Sequence, residues 1–469
     1  MTADYDTLIR NAKVLVGDTL ADVDVALRDG RIAALLPRGA GTAKDIIDAT
    51  GQHLLPGAID IHFHIRAPAF PERGTVESET RAAAAGGITT LFEMPLSRPS
   101  CSDARQVEIR RGHFAEHAVI NFALFGAPGD LSDASLAAMR DAGVVAFKMF
   151  TTPSPEGRDD EFYGIAFPDE ADQLRALEAA ATVERPIVVH AESAQLLAAG
   201  ERAVAGRDPA DLDTHLLARP DICEAVAVAK LLTMNIRAGA RLHIAHVTSA
   251  LTVAVLRAFK GTSDFSAETC PHYLFRTHDD VKRVGVFGKI NPPLRTQADQ
   301  DVLWEALADG TLTHVTTDHA AFSEAEKRSG AADIVSAPAG SPGSEILVPA
   351  LLDAVASGRL TLAHAMALLS GNAARRFGLL SKGRIAEGYD ADLILVDFAG
   401  TTTIHRDTLV TFARDVAQLY EGAQFNVGVL RTIVGGRTVF DGRVVGTPGW
   451  GRYVAPGRDM PVAASPVYA

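Results

Sequence analysis

His62 and His64 stand one residue apart at the end of an apolar run, residues 54–61. Side chains alternate along a strand with period two, so a strand ending in His-x-His throws both imidazoles to one side. Two neutral imidazoles converging at a strand end make half of a metal site. The plainer reading is a pair of polar residues at a strand mouth. Further positions favour the metal. Lys148 follows Val144-Val145-Ala146-Phe147, and His190 follows Ile187-Val188-Val189. His246 follows Ile244-Ala245, and Asp318 follows His314-Val315-Thr316-Thr317. Alone, His190 or His246 reads as a hydrogen-bonded core histidine. Chemistry-bearing residues in register on separate strands are hard to explain as packing.

Lys148 fixes what kind of site this is. A bare ammonium is a poor neighbour for a dication and is costly to bury. A buried neutral amine can instead take up carbon dioxide and become a carbamate, an anionic oxygen donor able to bridge two ions. His62 and His64 with Asp318 then hold one divalent metal, and His190 and His246 hold the other. The CO2-derived carbamate on Lys148 and a hydroxide lie between them. Two ions sharing a water lower its pKa and clamp a developing oxyanion. Asp318 is the expected catalytic residue, taking a proton from that water and returning it to a leaving nitrogen.

These side chains need a frame of parallel strands. From about residue 55 to 380, β-branched runs alternate with Ala- and Leu-rich stretches such as 171–178 and 225–232. Alternation of strand and helix predicts a parallel sheet, and the length suits a (β/α)8 barrel of the TIM type, whose chemistry sits at the C-terminal strand ends. No G-x-G-x-x-G follows an early strand, which weakens a dinucleotide fold. The two ends differ from the middle. Val23, Val25 and Leu27 alternate with Asp24, Ala26 and Arg28 before an Asp29-Gly30 turn. Gly435-Gly436 sits between two further β-branched runs, a second hairpin signal. Residues 1–54 with 381–450 are therefore expected to build one small β-sandwich domain. Residues 55–380 form the barrel, and 451–469 a C-terminal tail.

Composition narrows the class. A hydrophobic content of 47% supports a large core, and a net charge of −13 argues against nucleic acid as a partner. No apolar run reaches the roughly eighteen residues of a membrane span. The start has neither a basic n-region nor an apolar h-region. Cys101, Cys223 and Cys270 are far apart and odd in number, which fits a reducing compartment. A cytoplasmic protein is expected.

Several motifs together carry a resemblance. They include Asp60-Ile61-His62-Phe63-His64, Phe147-Lys148-Met149-Phe150, Val189-His190-Ala191-Glu192, Glu268-Thr269-Cys270-Pro271-His272-Tyr273, Asn291-Pro292-Pro293-Leu294-Arg295, Thr317-Asp318-His319 and Gly388-Tyr389-Asp390-Ala391-Asp392. Over nearly its whole length the chain resembles the cyclic amidohydrolases: hydantoinases and dihydropyrimidinases, allantoinases and dihydroorotases. The resemblance implies a barrel with a small β-sandwich, two metal ions, usually Zn2+, and hydrolysis of a small cyclic amide. It also implies a homo-oligomer, a dimer or tetramer. Non-catalytic relatives that serve as scaffolds have lost metal ligands, whereas the full set is present here.

The ring is less sharply marked. Arg66 resembles the His-x-His-x-Arg arginine with which a dihydroorotase grips its substrate carboxylate, a task suited to a guanidinium. Met94-Pro95-Leu96-Ser97-Arg98-Pro99 resembles allantoinase instead, with Leu96 where a dihydroorotase carries Asn. The segments around Lys148 and Asp318 resemble hydantoinase and allantoinase. A hydantoin-, allantoin- or dihydropyrimidine-like ring is therefore expected, with dihydroorotase as the alternative. Ser97, Asn291 and Gly340 are expected beside the substrate, the last two through backbone groups. The hydantoinase tyrosine just past the carboxylated lysine is replaced by Thr151-Thr152-Pro153, and Tyr163 is the only tyrosine nearby to take its place. Residues 151–167 are expected to form a lid-like loop. His272 and His319 are candidates to orient ligands from behind.

Overall fold

Short β-branched runs, each followed by a capped helix, dictate the architecture of the middle of the chain. The computed structural model describes residues 3–457. Seven strands run in parallel: β1 (Ala58–His64), β2 (Ile88–Glu93), β3 (Asn121–Gly126), β4 (Ala146–Phe150), β5 (Ile187–His190), β6 (Leu242–Ile244) and β7 (Phe265–Thr269). Each pairs with the next. The closing position is filled in two pieces. β8 (His314–Val315) pairs with Glu268 and Thr269 of β7. β9 (His319–Ala320) pairs with Phe63 and His64 of β1. The sheet thus closes on itself as the expected (β/α)8 barrel, with residues 316–318 in the break of its last strand.

Burial explains the composition of these strands. All seven residues of β1 are buried, as are all six of β2 and of β3. A parallel strand covered on both faces needs no polar side, so it reads as a continuous apolar run. The helices begin on side-chain caps. Thr75 accepts from the Ser78 amide, Asp103 from Gln106, Ser193 from Leu196 and Ser249 from Thr252. Each cap satisfies an amide that the first turn leaves free.

Two smaller sheets flank the barrel. A four-stranded sheet orders Arg31–Pro37, Val23–Arg28, Tyr5–Arg10 and Ala43–Asp48. A six-stranded sheet orders Arg437–Phe440, Gly428–Val434, Leu393–Asp397, His53–Pro56, Lys13–Val16 and Thr19–Ala21, so it draws on both ends of the chain. Ile9, Val14, Val25, Leu54, Leu393 and Ile433 form part of the core that these sheets share. Alternation in Val23–Arg28 does not leave one face wet: Asp24 is fully buried. Its carboxylate accepts from the amides of Asn11 and Gly39 at 3.1 and 2.8 Å, which satisfies a buried charge.

A single residue, Gly57, joins the strand His53–Pro56 to β1. A Cβ there would stand 2.2 Å from the Thr89 side chain, so only glycine lets the small sheet pass directly into the barrel. Part of the expected tail is not a tail. Phe122 and residues 452–454 exchange backbone hydrogen bonds, which ties residues 451–457 to β3. Residues 458–469 lie outside the described residues. The three cysteines are free and buried. Among the described residues, no helix is long and apolar enough to cross a membrane.

Candidate metal centre

The period-two geometry of β1 aims His62 and His64 to one side, while Phe63 points away and stacks on His319 with ring centroids 4.3 Å apart. Asp318 Oδ1 lies 3.2 Å from His62 Nε2 and 3.3 Å from His64 Nε2. The ligand atoms of these three residues all fall within 4.8 Å of one another, close enough to hold one ion. Lys148 Nζ lies 3.3 Å from His62 Nε2. It sits in the middle of β4 rather than past its end, and its side chain is fully buried. Beside this group, His190 Nδ1 and His246 Nε2 are 3.0 Å apart, and the His246 ring lies 5.4 Å from that of His62. The chain thus brings His62, His64, Lys148, His190, His246 and Asp318 into one cluster.

Two glutamates fix the tautomers of this cluster. Glu268 Oε1 stands 2.5 Å from His62 Nδ1. An ionised carboxylate only accepts, so Nδ1 carries the proton and Nε2 turns its lone pair toward Asp318 and Lys148. Glu268 Oε2 accepts from His243 Nε2 at 3.1 Å. Burial raises the Glu268 carboxyl, but His62 and His243 outweigh it and hold it well below the usual range. Glu192 Oε2 accepts from His190 Nε2 at 2.8 Å, which leaves the Nδ1 lone pair facing His246. Glu192 is held in turn by Arg219, at 3.2 and 2.5 Å. Glu192 had a signal in the sequence, since it stands two residues past His190, just beyond the end of β5. Glu268 had none as a partner of His62, because the two are 206 residues apart.

Burial also sets the charge of the donors. It lowers His64 to about 3 and His246 well below its ordinary value, so both imidazoles are neutral near pH 7. Burial lowers the Lys148 amine to about 8, against the pull of Glu268 and Asp318. Burial raises the Asp318 carboxyl, but His62 and His64 outweigh it and keep the group ionised. His64 Nδ1 and His246 Nδ1 are buried and have no hydrogen-bond partner. Neutral nitrogens, one carboxylate and a buried amine make a donor set that suits divalent metal and suits little else.

The backbone is strained where the cluster needs it. Arg66, His246 and Asp318 have φ of 61°, 35° and 44°. A non-glycine residue held in that region costs about 1–3 kcal/mol and persists only where its surroundings impose it. At Asp318 the anchor is the preceding residue. Thr317 donates from its amide and hydroxyl to Asp60 at 3.1 and 2.5 Å, which pins the break between β8 and β9.

Other expected site residues fall differently. His319 does not orient a ligand: its Nε2 is 3.0 Å from Glu79, and its Nδ1 accepts from the amides of Gly343 and Ser344. His272 is buried, its Nε2 has no hydrogen-bond partner, and Asp318 and His62 are among the charges that act on it. Tyr163 is 64% exposed. Ser97 donates to the Arg66 carbonyl at 3.0 Å, so its hydroxyl fastens the loop after β1. Asn291 Oδ1 accepts from His215. Gly340 donates its amide to the Lys289 carbonyl, and a Cβ there would stand 2.6 Å from Ala320. Arg66 meets a carboxylate of the protein itself, Glu161 of the loop after β4, at 3.3 Å.

Comparisons with known proteins place the chain in a family. A model of the amidohydrolase family matches residues 53–439. An allantoinase of Rubrobacter xylanophilus is 37% identical over 466 residues, covering 97% of this chain and 98% of that one. A dihydroorotase of Halobacterium salinarum is 36% identical over 439 residues, covering 90% and 96%. The solved L-hydantoinase (dihydropyrimidinase) from Arthrobacter aurescens aligns with a TM-score of 0.90 at 27% identity, over 96% of this chain and all of that one. A family model over residues 53–439, with relatives at 36–37% identity over nearly the whole length, shows that the chain belongs to the amidohydrolase family.

Proposed function

We propose that this chain opens the amide C–N bond of a neutral cyclic ureide, an allantoin- or hydantoin-like ring, with divalent metal at the cluster. The observation that supports it most is the meeting of two donor groups, His62-His64-Asp318 and His190-His246, with Lys148 beside them, at the C-terminal mouth of a barrel. His62, His64 and Asp318 would hold one ion, and His190 and His246 a second, with Zn2+ the expected metal. When bound, such ions supply Lewis acidity toward a ring carbonyl and lower the pKa of water.

The rest is work for side chains. The Lys148 amine, in its neutral form, adds to carbon dioxide: an N–C bond forms as one C–O π bond opens to an oxyanion, and the nitrogen's proton passes to water, leaving a carbamate. Its oxygens replace a cation with an anion at the seam between the two donor groups. The Asp318 carboxylate takes the proton released as water attacks the ring carbonyl and delivers it to the departing ring nitrogen. Glu268 and Glu192 hold His62 and His190 in the tautomers that point a lone pair inward.

A panel of rings tests the substrate. Metal-loaded protein is assayed for ring opening of allantoin, hydantoins, dihydrouracil and dihydroorotate. Allantoin or a hydantoin is expected to give the highest kcat/KM. Dihydroorotase is the second reading, favoured by the buried Arg66 guanidinium. A preference for dihydroorotate over every neutral ring would make it the correct one.

Glu268 offers an independent check on the metal. Glu268→Gln keeps an acceptor near His62 but removes the charge. Loss of such a partner costs about 10–100-fold in metal affinity. Metal titration is expected to read that weakening, with turnover recovering at saturating metal. Unchanged affinity would remove Glu268 from the metal's support.

A further inference from the structure

The loop after β4 turns back across the mouth to the residues that follow β1. Its apolar side is fixed to the cluster. Phe162 packs edge-on against Phe150, with centroids 5.2 Å apart, and Phe150 stacks on the His190 ring at 4.7 Å. Its backbone is fixed to the loop after β2, where Ser100 Oγ donates to the Tyr163 carbonyl at 2.7 Å. Between these anchors the loop delivers Glu161, only 1% exposed, to Arg66.

Arg66 is buried and held by several contacts. Its amide donates to Glu93 at 2.8 Å, and Nη1 donates to the carbonyl of Ala321, three residues past Asp318, at 3.2 Å. The guanidinium lies over the Phe322 ring at 4.8 Å. Its Nε is buried and makes no well-formed hydrogen bond, although Glu161 Oε1 is 3.3 Å away. Glu161 itself is fully engaged, for Arg158 grips both of its oxygens, at 2.6 and 2.8 Å. Burial raises the Glu161 carboxyl, but Arg158 and Arg66 outweigh it and hold it at about 2. At neutral pH an ionised carboxylate, shared with Arg158, therefore stands beside the buried Arg66.

We propose that Glu161 sets the charge class of the substrate: by pairing with Arg66 it lets the mouth accept neutral rings and turn away rings that bear a carboxylate. A substrate carboxylate would have to displace Glu161 from Arg66 or lie against it with like charge. Exclusion through a fixed repulsive group is a recognised route to specificity. The proposal rests on the reading of the site as a neutral-ring amidohydrolase. It adds the residue that enforces neutrality, which lies in the short helix Asp159–Phe162 after β4 and not among the metal donors.

The test uses metal-loaded protein with Glu161→Gln, Arg66→Gln and the double variant. Two quantities are measured. One is kcat/KM for dihydroorotate relative to allantoin or a hydantoin. The other is calorimetric binding of orotate, a planar ring acid that reports on the mouth without turnover. Glu161→Gln is expected to raise the ratio and to tighten orotate, each by tenfold or more, and the double variant is expected to lose both gains. In protein with Glu161 intact, Arg66→Gln is expected to change orotate binding less than threefold. An unmoved ratio and unmoved orotate affinity in folded Glu161→Gln overturn the proposal, as does a gain that survives loss of Arg66. If Glu161→Gln fails to fold, the Arg66→Gln comparison decides: a tenfold loss of orotate binding means that Glu161 does not shield Arg66. No turnover of any ring, with orotate still tightened by Glu161→Gln, would sink the ring assignment and leave Glu161 in its role.

Discussion

Lys148→Ala is expected to lose most of its bound metal and, with it, nearly all activity. The amine lies 3.3 Å from His62 Nε2 and is fully buried among metal-type donors. As an ammonium it would oppose a dication there, with no carboxylate in hydrogen-bond contact to offset it. As a carbamate it adds negative charge between the two donor groups. Removing it withdraws the shared anionic donor from both. Metal Lewis acidity contributes several kcal/mol to a transition state of this kind. A loss of about 4 kcal/mol corresponds to a fall on the order of a thousandfold in rate. Metal analysis should drop from about two ions per chain, the stoichiometry of a two-metal site. Short carboxylic acids in the buffer should restore part of the activity by filling the vacated volume with an oxygen donor. Lys148→Met serves as the folding control, since it fills the space without an amine. Full metal content in either variant would refute the bridging role. Incubation of the unaltered protein with isotopically labelled bicarbonate should give a carbamate carbon signal that both variants lack.

What the chain revealed on reading, and what it hid, follows from how local each signal is. His62, His64 and His190 stand at the ends of apolar runs, where period two alone sets their direction. His246 and Asp318 follow such runs by one or more residues, and their left-handed backbone could not be foreseen. At Asp318 it depends on Thr317 reaching Asp60 across the barrel seam, between residues 257 apart. The split of the last strand into β8 and β9 has the same origin. It exists because the ring of strands must close on β1, a condition that no stretch of sequence expresses. β3 and β7 are weakly marked in the sequence. Asn121-Phe122-Ala123-Leu124-Phe125-Gly126 has no β-branched residue, and Phe265–Thr269 carries serine and glutamate. Their strand form comes from neighbours on both sides. Glu161 was equally hidden, because its partner Arg66 lies in another loop and the pair forms only once the barrel brings the loops together.

Asp318→Asn isolates proton transfer from metal binding and from folding. Asparagine is nearly isosteric with aspartate and is one of the few residues that tolerate φ near 44°, so the strained turn should survive. Its amide oxygen can still face His62 Nε2 and His64 Nε2, where Asp318 Oδ1 now stands at 3.2 and 3.3 Å. A neutral oxygen remains a weak metal donor, so much of the metal should stay, held chiefly by the histidines. What asparagine cannot do is accept a proton near neutral pH. The ring nitrogen then departs without a proton delivered to it, and the attacking water keeps its own. General acid–base catalysis is worth about a hundredfold to ten-thousandfold. The expected result is therefore a fall in kcat on the order of a hundredfold or more, with an unchanged circular dichroism spectrum and most of the metal retained. Turnover within a few fold of the unaltered enzyme would take the proton-carrying role away from Asp318. A variant that loses its metal in step with its activity would reduce Asp318 to a ligand. Each outcome is read from one pair of measurements, kcat and metal content on the same sample. The distinction matters because Asp318, the one carboxylate among the six residues, is assigned both to hold an ion and to carry a proton.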